Sequence, residues 1–168
     1  MARADLDMIL GRVEQLALEI EKFVPLDTKN IQFRADLAGL LVVAIAAAYE
    51  SCVKETLVSY AGRHHAKFET FAQNQYAKLS SKVKLSDLYK YASTCDPKVH
   101  FRFGQIVKER KLRIVNRTGK DFTKAYEQIL SWRHDFAHEG IRNTTIEEAL
   151  ATHTFAKRVL YAFNSAFD

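Results

Sequence analysis

Apolar side chains recur every three or four positions over residues 2–24. Leu6, Ile9, Leu10, Val13, Leu16, Ile20 and Phe23 fall on one face, with charge on the other. That period predicts an amphipathic helix, and Pro25 ends it. Asp27 or Thr28 can cap the next segment, a long helix over 28–61. Its middle, Leu40 to Ala48, is apolar on nearly all sides. Such a helix belongs at the centre of a bundle, and its alanines let a neighbour approach closely. Glu50 follows directly, where a carboxylate needs a partner unless it is solvated. Gly62 is the expected stop.

A weaker helix is expected over 64–79, with Phe68, Phe71, Tyr76 and Leu79, and Ser80 and Ser81 break it. Leu85 to Thr94 suggests a short helix with Ser86 as a cap. Residues 98–120 are the least regular part. They hold His100, Phe101, Arg102 and Phe103, then the basic residues Lys108, Arg110, Lys111, Arg113 and Arg117. Two readings stay open there: a nucleic-acid contact, or a connecting loop with a short helix whose aromatics pack inward. Asp121 then starts a clear helix through Phe122, Ala125, Tyr126, Ile129 and Leu130 to Phe136 and Ala137, and Gly140 terminates it. Thr144 or Thr145 caps a last helix over 145–167. Glu147 and Glu148 lie in its first turn, where the helix dipole favours them. The expected fold is all-α, a bundle of five to seven helices with a long central one, in one domain over residues 1–168.

Composition agrees. Two prolines and six glycines in 168 residues leave few helix breakers. A chain of this length buries enough surface to need no disulfide or metal staple. Cys52 and Cys95 have no paired spacing, so a zinc ribbon or redox motif is not expected, and both read as buried, reduced thiols of a cytoplasmic protein. Residues 1–10 carry Asp5 and Asp7 and no apolar run, so no signal peptide is expected. The most apolar stretch, Leu37 to Tyr49, is too short to span a bilayer, and no membrane partner is expected. The net charge of +5 and a pI near 9.2 lean toward an anionic partner without requiring one.

One stretch concentrates the chemistry: Ser131, Trp132, Arg133, His134, Asp135, Phe136, Ala137, His138, Glu139 and Gly140. It admits three readings. His134 and His138 stand at i and i+4, like the two histidines of the zinc-protease pattern His-Glu-x-x-His. Asp135 replaces the glutamate, however, and no third ligand follows at the expected offset. Alternatively, the histidines and Asp135 are solvated and His138 offsets the helix C-terminal dipole. The third reading is metal-independent RNA cleavage. Such a reaction needs a base near neutrality for the ribose 2′-OH, which a histidine supplies. It also needs a fixed cation that grips phosphate, which an arginine supplies. Arg133 and His138 provide one of each, and two chains paired along this helix would provide two of each.

Arg133-His134-Asp135-Phe136-Ala137-His138 resembles the signature of HEPN domains, an arginine followed after four to six residues by a histidine. The ending Ala137-His138-Glu139-Gly140 is similar to a common variant at the end of the penultimate long helix of that family. The family's residue after the arginine is polar, most often Asn; here it is His134. The layout also fits, with a long helix early and the motif late, and the chain looks most like the RiboL-PSP and MAE-type group. The resemblance implies a homodimer with a composite site, acting as a cofactor-free endoribonuclease that leaves a 2′,3′-cyclic phosphate. It implies a toxin–antitoxin or antiviral defence setting, with an antitoxin or defence partner, or else a non-catalytic module that binds RNA, nucleotide or protein. Carried over by position, Arg133 binds phosphate and His138 is the general base. His134, Asp135 and Glu50 support them, Glu50 from the long early helix. Arg133 and His138 lie about 140° apart on a regular helix, so sharing a face would need the helix to loosen before Gly140.

Overall fold

The computed structural model describes residues 1–77 and 82–168. Among the described residues are eight α-helices, one short 3₁₀ turn and no strand. They are α1 (Arg3–Phe23), the 3₁₀ turn Thr28–Asn30, α2 (Ile31–His64), α3 (Ala66–Gln75), α4 (Leu85–Cys95), α5 (Pro97–Thr118), α6 (Phe122–Glu139), α7 (Ile146–Ala156) and α8 (Arg158–Ala166). α7 and α8 are separated only at Lys157, whose backbone stays near-helical at φ −54° and ψ −19°. Counted as one bent rod, they leave a bundle of seven.

The long second helix is the axis of the fold, and α1, α3, α6, α7 and α8 all pack on it. Its Leu41, Val42, Ile45, Tyr49, Val53 and Leu57 meet Leu6 and Leu10 of α1, Phe122, Tyr126 and Ile129 of α6, and Val159, Leu160 and Phe163 of α8 in one core. Each such side chain contributes roughly 1.5–3 kcal/mol when fully buried. The apolar run proves longer than its 37–49 centre. An 18-residue window has mean hydropathy 1.7, enough by length and composition to cross a membrane. Its place at the centre of the bundle gives that apolarity another cause. One side of the run stays uncovered, with Leu40 56% exposed.

Several expected boundaries shift for local reasons. α2 runs straight through Gly62, against which the Glu69 carboxylate packs. It stops at His65, whose backbone is extended and whose Nδ1 accepts from the Lys67 N–H at 3.1 Å, capping α3. The break expected at Ser80 and Ser81, and Leu79, lie outside the described residues. α4 begins before Ser86: Asp87 Oδ2 accepts from the Lys84 N–H at 3.0 Å. The largest correction is α5. The segment read as irregular is a continuous 22-residue helix. Asp96 caps it by accepting from the Lys98 N–H at 2.7 Å, and Pro97 occupies its first turn, where a missing N–H costs nothing. Val99, Phe103 and Val107 bury its inner face, whereas Phe101 points outward, 64% exposed. Gly119 ends it at φ 69°.

Three helices meet at a buried polar stack. Tyr49 of α2 lies flat against Tyr126 of α6, ring centres 5.1 Å apart, and its hydroxyl reaches His153 Nδ1 of α7 at 2.9 Å. His153 is fully buried and its Nε2 has no hydrogen-bond partner among the described residues; Glu14 stands 3.8 Å away and is held by Lys157. Burial is the main cause that pushes the imidazole down to about 4, outweighing the pull of Glu14. His153 is therefore neutral in the fold. Between its unfolded value near 6.5 and about 4 the unfolded chain binds the extra proton, so stability falls as pH falls through that window. Stability at pH 5 should be about 2 kcal/mol below that at pH 7. Thermal unfolding across that range measures it. His153→Gln should flatten the slope, and an unchanged slope would refute the assignment.

Candidate active site

The motif lies on the last turns of α6, and the sequence accounts for its position. Asp121 caps the helix by accepting from the Thr123 N–H at 3.0 Å. Tyr126, Ile129 and Trp132 bury its inner face. Gly140, at φ 66°, stops it. The turn is closed by the Gly140 N–H donating to Phe136 O at 3.1 Å and the Ile141 N–H donating to Asp135 O at 3.3 Å. A left-handed stop of this kind favours glycine, which has no Cβ to clash.

α2 fixes the height of the motif. Gly39 lies directly against the Phe136 ring, so closely that a Cβ at residue 39 would overlap ring atoms from Cγ to Cε2. One turn-pair further along α2, Ala46 and Glu50 line a cavity of about 390 Å³ with Leu130, Ser131, Arg133, His134, Glu127 and Lys84. Gly39, Ala46 and Glu50, at i, i+7 and i+11, form one stripe of α2. As that stripe ascends from Gly39 to Glu50, its partners on α6 descend from Phe136 to Glu127, so the two helices run antiparallel.

Arg133, His134 and Glu50 therefore share one cavity. Arg133 is half-buried and, among the described residues, makes no ion pair. Glu127 is already engaged, its Oε1 accepting from the Leu85 N–H at 2.7 Å. His138 does not line the cavity. α6 stays helical to Glu139, so the loosening that would bring His138 round to the face of Arg133 does not occur. His138 is exposed at the helix end and meets His134 instead, ring centres 4.7 Å apart. His134 thus lies between the arginine cavity and the terminal histidine.

Asp135 faces elsewhere. Its Oδ2 accepts from Asn143 Nδ2 at 2.8 Å, which ties the following loop to the helix. Arg142 of that loop pairs with Asp36 of α2. Among the described residues no cluster of three or more His, Cys, Asp or Glu side chains is placed to hold a metal ion, so His134 and His138 gain no third ligand.

The basic candidates of α5 disperse around the helix. Lys111 is held by Asp121 at 2.8 Å. Lys108 and Arg117 are exposed, while Arg110 and Arg113 enter a cleft that shares no residue with the motif cavity. Sequence reasoning missed Gly39, Lys84 and the Asp36–Arg142 pair. A glycine inside an unbroken apolar helix was the available signal for the first, since such a residue marks close approach.

Comparison with protein families returns one described as RiboL-PSP-HEPN, matching residues 10–168. Comparison with curated proteins gives no match, and none is found among solved structures.

Proposed function

The chain belongs to the RiboL-PSP-HEPN family, and from that premise we propose that it is a metal-independent endoribonuclease, active as a homodimer in a toxin–antitoxin or antiviral defence setting. The observation that carries the reading is the junction of Arg133, His134 and Glu50 in one cavity with the His138 ring against His134 one turn beyond. Arg133 grips the scissile phosphate and offsets the charge that builds on its oxygens. His138 takes the proton from the ribose 2′-OH. The 2′-oxygen attacks the adjacent phosphorus, the bond to the 5′-oxygen breaks, and that oxygen takes a proton from an acid. The products are a 2′,3′-cyclic phosphate and a 5′-hydroxyl. One exposed histidine cannot serve both faces of the phosphate in a single step, and a second copy of the motif supplies the acid.

The surface beside the motif supports a second copy. Phe33 and Leu40, seven residues apart on α2, are 55% and 56% exposed. Between them Asp36 pairs with Arg142, next to Ile141, which is 45% exposed. An uncovered apolar row of this kind, flanked by an ion pair, suits a self-complementary interface.

Cleavage of single-stranded RNA in excess chelator tests the reading. Products should carry cyclic phosphate, and the rate should be unchanged by chelator. Loss of activity in chelator with recovery on zinc would instead favour a metal hydrolase. No cleavage under any condition would favour a binding module.

A further inference from the structure

A second site is built on the other side of the bundle. Arg3 of α1, Arg110 and Arg113 of α5, and Lys157 and Arg158 at the α7–α8 break line a cleft of about 610 Å³. Among the described residues, none of the four arginines makes an ion pair. Asp168, the acid lining the cleft, reaches Arg63 at 3.8 Å. Lys157 is neutralised by Glu14 at 2.6 Å. The positive charge that remains is that of the arginines. They crowd one another: half-buried Arg110 is pulled below the usual guanidinium range by burial first, then by Arg3, Arg113 and Arg158. A bound anion would relieve that repulsion.

The shape and lining narrow the ligand. The volume lies within the ordinary range of small-molecule sites. One aromatic ring lines the cleft, that of Tyr161, and Arg3 lies over it at 5.3 Å. The Tyr161 hydroxyl donates to Asp7. A single RNA strand relies on open aromatic faces for its bases, and none is offered here. What the cleft offers is several guanidiniums converging on a compact volume, the arrangement that recognises phosphate oxygens.

We propose that the cleft formed by Arg3, Arg110, Arg113 and Arg158 is a binding site for a small polyphosphate anion, separate from the motif cavity. The proposal does not depend on the ribonuclease reading, and its test does not use RNA cleavage.

The full chain is titrated calorimetrically, in low-salt buffer, with inorganic tripolyphosphate and with a nucleoside triphosphate. Saturable binding at one site per chain is expected, with affinity falling as salt rises. Arg113→Gln and Arg110→Gln should each weaken binding by about tenfold or more, while Lys108→Gln, on the same helix but outside the cleft, should not. Arg113 is exposed, so its variant serves if Arg110→Gln fails to fold. Similar affinities for the two ligands assign recognition to phosphate alone, and a marked preference for the nucleotide assigns a base contact; both support the site. Absence of saturable binding by either ligand, or binding indifferent to both arginine variants, would overturn it. So would an Arg113-dependent RNA dodecamer that binds more tightly than either ligand, because the cleft would then belong to the substrate path.

Discussion

Arg133→Ala and His138→Ala should each lower RNA cleavage by about a thousandfold, with thermal stability little changed. Arg133 is half-buried beside a cavity and His138 is exposed, so neither truncation opens the core. Loss of a fixed cation at a developing phosphorane costs on the order of 10²–10³ in rate, and loss of a general base on the order of 10²–10⁴. Arg133→Lys keeps the charge but not the two-pronged grip, and should recover only part of the loss. His134 separates the competing chemistries. In the ribonuclease reading it orients its neighbours, and His134→Asn, which keeps a polar side chain, should retain activity within about tenfold. As a zinc ligand it could not be replaced that way. Leu40→Glu places a charge on the exposed apolar row of α2 and should give a folded monomer that has lost activity. Gel filtration beside the cleavage assay reads both. A monomeric, fully active Leu40→Glu variant would sink the composite site, and full activity in His138→Ala would sink the assignment of the base.

Fold class was legible because periodicity is a strong signal over long helices: α1, α2 and α6 all lie within a few residues of their expected bounds. α5 was not legible. Its arginines and lysines mask a sparse apolar stripe of Val99, Phe103 and Val107, and Asp96-Pro97 looks like a loop until the aspartate is seen capping the helix. The motif itself was legible, because Arg133, His134 and His138 are close in sequence and Gly140 marks the helix end. The sharing of one cavity by Glu50, Arg133 and His134 follows from antiparallel packing of α2 on α6, which no local spacing encodes. The same holds for the arginine cleft. Arg3, Arg110 and Arg158 come from three distant stretches, and the run of basic residues within α5 shares only Arg110 and Arg113 with the cleft.

Gly39→Ala is the substitution that should disturb the motif most without touching it. Two opposing effects decide its sign. Alanine favours a helix over glycine by about 1 kcal/mol. Against this, the new methyl would sit inside the Phe136 ring, and overpacking of this kind costs about 1–3 kcal/mol when neighbours must shift. The clash reaches Cγ, the atom nearest the backbone, so the ring cannot escape by rotation of its far edge and α6 itself must move. The second effect should win, with a net loss of about 1–2 kcal/mol and a fall in Tm of a few degrees. Activity should fall further than stability explains, because Phe136 stands between Arg133 and His138 on the same two turns, and misplacement of a reacting group by a fraction of an ångström is costly. Phe136→Ala removes the obstructing atoms. In a double-mutant cycle, Gly39→Ala and Phe136→Ala should couple by about 1 kcal/mol or more, the pair losing less than the sum of the singles. Additive losses, or a Gly39→Ala variant more stable than the parent, would show that α6 is not seated against α2 at this glycine, and the shared cavity of Glu50 and Arg133 would lose its physical basis.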